Sequence, residues 1–145
     1  MLPADINDIN KLHEKTLQNK TEISTLACKI FDDRLFKNEN IVKVTTEQKL
    51  SDQNSSKAKA FSRKVLENDY KNIYHHVGIY MYKISVLKKF INFKQTKNEV
   101  SQKLEQLRAM ENNIQIDVNL ANSSPIGVDT YEDYKRIKKI MENKK

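Results

Sequence analysis

The chain has 145 residues, 38% of them hydrophobic and 31% charged, enough to bury one modest core. Two glycines, Gly78 and Gly127, exclude a Walker A loop or a dinucleotide fingerprint, which need clustered glycines. A single cysteine excludes a disulfide framework and a multi-cysteine zinc site and suits a reducing compartment. No run of ~18 apolar residues and no basic-then-apolar leader is present, so the expectation is a soluble cytoplasmic protein without a membrane partner. The net charge is +7, yet only Arg34, Arg63, Arg108 and Arg136 are arginines. Lysine serves mainly as a point charge, whereas arginine forks suit phosphate and base edges. The lysines are scattered among abundant Asn and Ile, so nucleic acid is not expected as a partner.

In chain order, Pro3 and Asp5 open a helix along which Ile6, Ile9, Leu12 and Leu17 fall near helical spacing. Residues 23–30 have strand character, a polar connection follows from Phe31 to Asn40, and β-branched residues make 41–46 a second strand. Residues 47–56 form a loop and 57–63 a short strand. Val77 to Ile84 is the strongest strand, with Tyr80 and Tyr82 on one face and Ile79 and Met81 on the other. Val86–Phe93 and Glu99–Asn112 are predicted helices, the second with Val100, Leu104, Leu107 and Met110 on one face. Residues 114–120 alternate as a half-buried strand does, and Thr130-x-x-Asp133 opens a final helix running to about Glu142. The class is mixed α/β. With so few strands, an exposed sheet edge needs cover from more chain or a partner, so 1–145 reads as one partial domain.

His75 and His76 point to opposite faces of an extended chain, which predicts one exposed and one packed ring. His13 falls on the solvent side of the first helix, and Cys28 reads as a small core residue. Glu105 and Gln106 are polar neighbours beside an apolar stripe, a pattern that is usually solvated. In Ile126-Gly127-Val128-Asp129-Thr130 the carboxylate precedes a helix N-cap, which fits a capping element and a hard oxygen ligand for magnesium equally.

Three stretches carry a resemblance in order: His76-Val77-Gly78-Ile79-Tyr80-Met81-Tyr82, then Lys103-Leu104-Glu105-Gln106-Leu107-Arg108, then Ile126 to Asp133. With Ser24-Thr25-Leu26-Ala27, Asn40 to Val44, Phe61-Ser62-Arg63 and Leu2-Pro3 upstream, the chain resembles the C-terminal part of the 3-deoxy-manno-octulosonate cytidylyltransferases, the CMP-Kdo synthetases. The resemblance implies a partial nucleotide-diphospho-sugar-transferase-like, Rossmann-like α/β domain, a mixed sheet with flanking helices. It implies CTP and Kdo as substrates, CMP-Kdo and pyrophosphate as products for lipopolysaccharide synthesis, and Mg2+ as cofactor.

By the same resemblance, Tyr80, Glu105, Gln106 and His76 contact the sugar acid, Arg63 lies near it, and Asp129 ligates magnesium. A homodimer, or a separately encoded N-terminal half, is the implied partner. The family's N-terminal phosphate loop and Gly-Asp metal motif have no counterpart here, so the nucleotide-binding part is missing and the chain alone is expected not to turn over. Lys64-Val65-Leu66-Glu67-Asn68 stands where the family has a Pro-rich stretch. Two alternatives stay open: an enzyme like the CMP-sialic acid synthetases, and a non-catalytic interaction remnant that kept the dimer surface.

Overall fold

The computed structural model describes residues 5–65, 71–122, 128 and 130–143. Helix α1 spans Ile6–Asn19: the Asp5 side chain caps it by accepting from the Asn7 N–H, and Lys20 ends it in a left-handed conformation. The buried stripe is Asp8, Leu12 and Thr16, whereas Ile6 and Leu17 stand exposed at 71% and 64%. The apolar periodicity thus marked the helix and, through buried Leu12 and half-buried Ile9, part of its inner face, while its two ends turn outward. The sheet beneath presents a hydroxyl, Ser24, to which Thr16 hydrogen-bonds, so polar positions of α1 face inward. The Asp8 carboxylate accepts from the Asn122 N–H at 3.1 Å, tying α1 to the far end of the chain.

Five strands follow: β1 (Ile23–Cys28), β2 (Lys43–Thr46), β3 (Ser56–Ser62), β4 (Ile73–Tyr82) and β5 (Ile116–Leu120). Their ladders run β1–β4–β2–β3–β5, and β5 returns to pair with β1. The β1–β5 pair is parallel and the other ladders are antiparallel, which makes the mixed sheet expected from the sequence. The exposed edge anticipated above is absent among the described strands, because each has a neighbour on both sides. The closing contact is a short one, Ser56 and Lys57 against Val118 and Asp117.

The alternation along β1 divides the interior. Ile23 and Ala27 join Val44, Phe61, Tyr74, Val86, Phe90, Leu104, Ile116 and Val118 in the larger core. Leu26 and Cys28 join Leu12, Val77 and Ala121 in a smaller one. Cys28 is therefore the core thiol its surroundings predicted. His13 is exposed, also as read.

The helices depart more from the sequence reading. The connection from Phe31 to Asn40 holds a short helix, α2 (Asp33–Lys37), capped by the Asp32 side chain on the Arg34 N–H. The stretch 86–93 is helical as α3, Ile84–Phe90. The continuous helix expected over 99–112 is two: α4 (Lys97–Gln102) and α5 (Gln106–Glu111). Lys103, at φ 55 and ψ 48, breaks it with a left-handed residue. The corner carries Arg108 back onto Glu99; in a straight helix nine residues would separate them by ~13 Å along the axis. The break also frees Val100 from the predicted face, leaving it 59% exposed while Leu104 and Leu107 are buried. Helix α6 (Tyr131–Glu142) starts with the predicted capping box, Thr130 and Asp133 each satisfying the other's backbone N–H. No helix among the described residues is long and apolar enough to cross a membrane.

Candidate functional site

The site is built on one face of β4. Alternation sends Ile79 and Met81 to the smaller core under α1 and leaves Tyr80 and Tyr82 on the opposite face, as predicted. His76 lies in the same row. Its ring meets Phe61 of β3 edge-on at 5.1 Å between centroids, and Tyr80 at 5.4 Å. Tyr80 continues to Tyr82 at 5.9 Å, and Tyr82 to Phe90 of α3 at 6.0 Å. Four residues along a regular strand span ~13 Å, so rings at 76 and 80 would not ordinarily meet. The β1–β4 ladder explains the approach: Thr25 pairs with Tyr80 and Leu26 with Val77, leaving Gly78 and Ile79 in a bulge. Gly78 has no positive φ, and a Cβ there would meet nothing within 4 Å, so neither the bulge nor its surroundings requires a glycine.

His76 is buried, 8% exposed, and its Nε2 lies 2.9 Å from the Thr25 hydroxyl. Burial, with a smaller contribution from His75, pushes its pKa down to about 3, so the ring is neutral near neutral pH. His75, on the opposite side, is half-buried rather than exposed, and burial followed by the Lys43 charge lowers its pKa also. The Lys43 ammonium donates to the Asn38 and Arg63 carbonyls, each at 2.6 Å. Burial, then the neighbouring Tyr82 and Glu105, raises the Tyr80 phenol far above its ordinary range. Tyr82 shifts the same way, chiefly by burial, and Arg108 opposes the shift. The face therefore presents neutral hydrogen-bonding groups on an aromatic floor.

Helix α5 supplies the second wall. Glu105 is exposed, as the solvated pattern predicts, and lies 3.6 Å from Arg108, whereas Gln106 is buried at 7% exposure, against that pattern. Its position as the first residue after the corner turns it inward beside Leu107. Arg108 donates from Nε to Glu99 at 2.8 Å, makes a second bond from Nη2 to the other carboxylate oxygen, and lies 4.9 Å over the Phe90 ring. Those bonds hold the Glu99 carboxyl below the usual carboxylate range. Glu99 also closes the capping box of α4 with Thr96. This clamp fixes the corner that presents Glu105 and Gln106.

The structure thus gathers His76, Tyr80 and Glu105 around one region, with Gln106 on the adjoining turn. Arg63 lies at the back of the same corner, where it meets Lys103, two residues from Glu105. Its guanidinium donates to the carbonyls of Gln102 at 3.0 Å, Glu39 at 3.2 Å and Lys103 at 3.4 Å, tying β3 to the end of α4. Asp129 lies outside the described residues. Among the described residues no group of three or more His, Cys, Asp or Glu side chains could hold a metal ion. Sequence reasoning missed Thr25, Arg108 and Glu99. Thr25 meets His76 across 51 positions, a pairing no local pattern announces.

A cytidylyltransferase family profile matches residues 4–116. The chain is 40% identical over 128 residues to the 3-deoxy-manno-octulosonate cytidylyltransferase of Bartonella tribocorum, covering 88% of this chain and 52% of that protein. It is 38% identical over 128 residues to the 3-deoxy-manno-octulosonate cytidylyltransferase of Sinorhizobium medicae, covering 88% and 50%. A solved structure of CMP:2-keto-3-deoxy-manno-octonic acid synthetase complexed with CTP superposes with a TM-score of 0.81 at 26% identity, over 96% of this chain and 57% of that one. The chain spans about half the length of the curated relatives it matches. With the α/β fold and its mixed sheet matched over nearly the whole chain, the chain belongs to the cytidylyltransferase family.

Proposed function

We propose that this chain is the sugar-acid-binding portion of a CTP-dependent cytidylyltransferase that activates Kdo to CMP-Kdo, releasing pyrophosphate, for lipopolysaccharide synthesis in the cytoplasm. The observation that carries the reading is the face formed by His76, Tyr80 and Tyr82 with Glu105 and the buried Gln106 beside it. Kdo combines one carboxylate with many hydroxyls, and neutral donors and acceptors on a rigid floor match the hydroxyls. His76 stays neutral, the Tyr80 phenol keeps its proton as a donor, Gln106 offers both donors and acceptors, and Glu105 accepts from sugar hydroxyls. These groups would hold the sugar so that its hydroxyl faces the α-phosphorus of CTP, and the displaced group is pyrophosphate.

The described residues do not by themselves fit a magnesium ion, so no step passes through one. Mg2+ remains part of the proposal, with Asp129 as one ligand. CTP phosphates and further metal ligands would come from residues outside this sequence, either a separately encoded N-terminal half or a longer form of the chain. Pairing into a homodimer is proposed on the resemblance alone.

Calorimetry with Kdo tests the reading. Binding is expected, with Glu105→Ala and Gln106→Ala each weakening it about tenfold or more, a scale set by loss of one or two buried hydrogen bonds. N-acetylneuraminic acid is expected to bind more weakly. Equal affinity in both alanine variants would overturn the assignment, and a preference for the sialic acid would redirect it. With CTP and Kdo present, the chain alone is expected to release no pyrophosphate at an enzymatic rate.

A further inference from the structure

We propose that Thr25 is a positioning residue that fixes the tautomer of His76, leaving Nδ1 as a bare acceptor for a sugar hydroxyl; this rests on the reading of His76 as part of the sugar-acid site. Thr25 is fully buried in β1, opposite the bulge of β4. Its hydroxyl lies 2.7 Å from the Ile79 carbonyl, 3.3 Å from the Val77 carbonyl and 2.9 Å from His76 Nε2. A carbonyl can only accept, and the hydroxyl has one proton, so the close Ile79 oxygen takes it. The Thr25 oxygen is then an acceptor toward the ring, and Nε2 must carry the proton. Among the described residues no group bonds Nδ1. One hydroxyl therefore pins both the bulge that brings His76 to Tyr80 and the ring's direction of hydrogen bonding.

Long-range 1H–15N correlation spectra of the labelled chain read the tautomer without any substrate. The wild type is expected to show a pyrrole-type Nε2 and a pyridine-type Nδ1. Thr25→Val, which keeps the shape and removes the oxygen, is expected to bring in the Nδ1–H form, and Thr25→Ser to restore the wild-type pattern. A proton on Nδ1 in the wild type, or an unchanged tautomer in Thr25→Val, overturns the proposal. If Thr25→Val gives no dispersed spectrum, the wild-type assignment decides alone: Nε2–H supports it and Nδ1–H refutes it. Kdo affinity is expected to fall about tenfold in Thr25→Val and to hold in Thr25→Ser. Absence of Kdo binding in the wild type would instead count against the site reading, with the tautomer result unaffected.

Discussion

Burying His76 as a neutral ring makes the fold sensitive to acid, and the size of the effect follows from its ionisation. The ring titrates at about 3 in the folded chain against 6.5 as its ordinary value. Below 6.5 the unfolded chain takes up a proton that the folded chain refuses, so stability is full above that pH and declines as pH falls toward 3. The slope approaches ~1.4 kcal/mol per pH unit, and integrating from neutral pH to pH 5 gives a loss of about 2 kcal/mol. His75 is shifted in the same direction, and Glu99, held low by Arg108, contributes only when pH falls through its depressed value. Urea unfolding of wild type and His76→Gln at several pH values between 8 and 5 separates the contribution of His76 from both. The wild type is expected to lose about 2 kcal/mol more than the variant across that range, whatever the variant's stability at pH 8. Parallel curves would refute a neutral buried His76.

Other perturbations probe the frame around the site. Leu12→Ala, at a fully buried position between α1 and the sheet, is expected to cost about 2–5 kcal/mol in urea unfolding; a loss below 1 kcal/mol would mean α1 is not packed as described. Arg63→Ala is expected to lower stability by about 1–2 kcal/mol, because carbonyls of Gln102, Glu39 and Lys103 lose their donor. Unchanged stability with lost Kdo affinity would instead show a ligand-facing role. Gly78→Ala is expected to leave stability unchanged or raise it by up to ~1 kcal/mol, since its Cβ meets nothing and glycine is entropically costly in a strand. A weakened Kdo affinity in that stable variant would show that the open space over Gly78 belongs to the ligand.

The readable parts of this fold are those where local chemistry and tertiary environment agree. Strand character located β1, a β-branched run located β2, strict alternation located β5, and Thr130 with Asp133 marked the start of α6. The break between α4 and α5 was illegible because it falls on Lys103, a residue with no preference for the left-handed region. Likewise the inward turn of Thr16 beside Leu12 in α1 follows the hydroxyl of Ser24, a partner that the helix's own spacing does not announce. Within the site, period-two alternation placed Tyr80 and Tyr82 together, but the bulge that draws His76 to Tyr80 depends on cross-strand pairing. Glu105 and Gln106 were named through family resemblance alone. Nothing local distinguishes them from a solvated pair until the Arg108–Glu99 clamp turns the corner. Arg63 was likewise named through the resemblance, and its bonds to the Gln102 and Glu39 carbonyls join strands and helices far apart in the sequence, which no local pattern announces.

The central claim, that the β4 face and the start of α5 receive a sugar acid, is tested most directly by titrating Kdo into the labelled chain and mapping the amide and side-chain shifts. The account predicts saturable changes at His76, Gly78, Tyr80, Tyr82, Glu105 and Gln106, with α6 and the outer face of α1 unmoved. Saturable shifts confined to other surfaces, or none at millimolar Kdo in a folded chain, would contradict it.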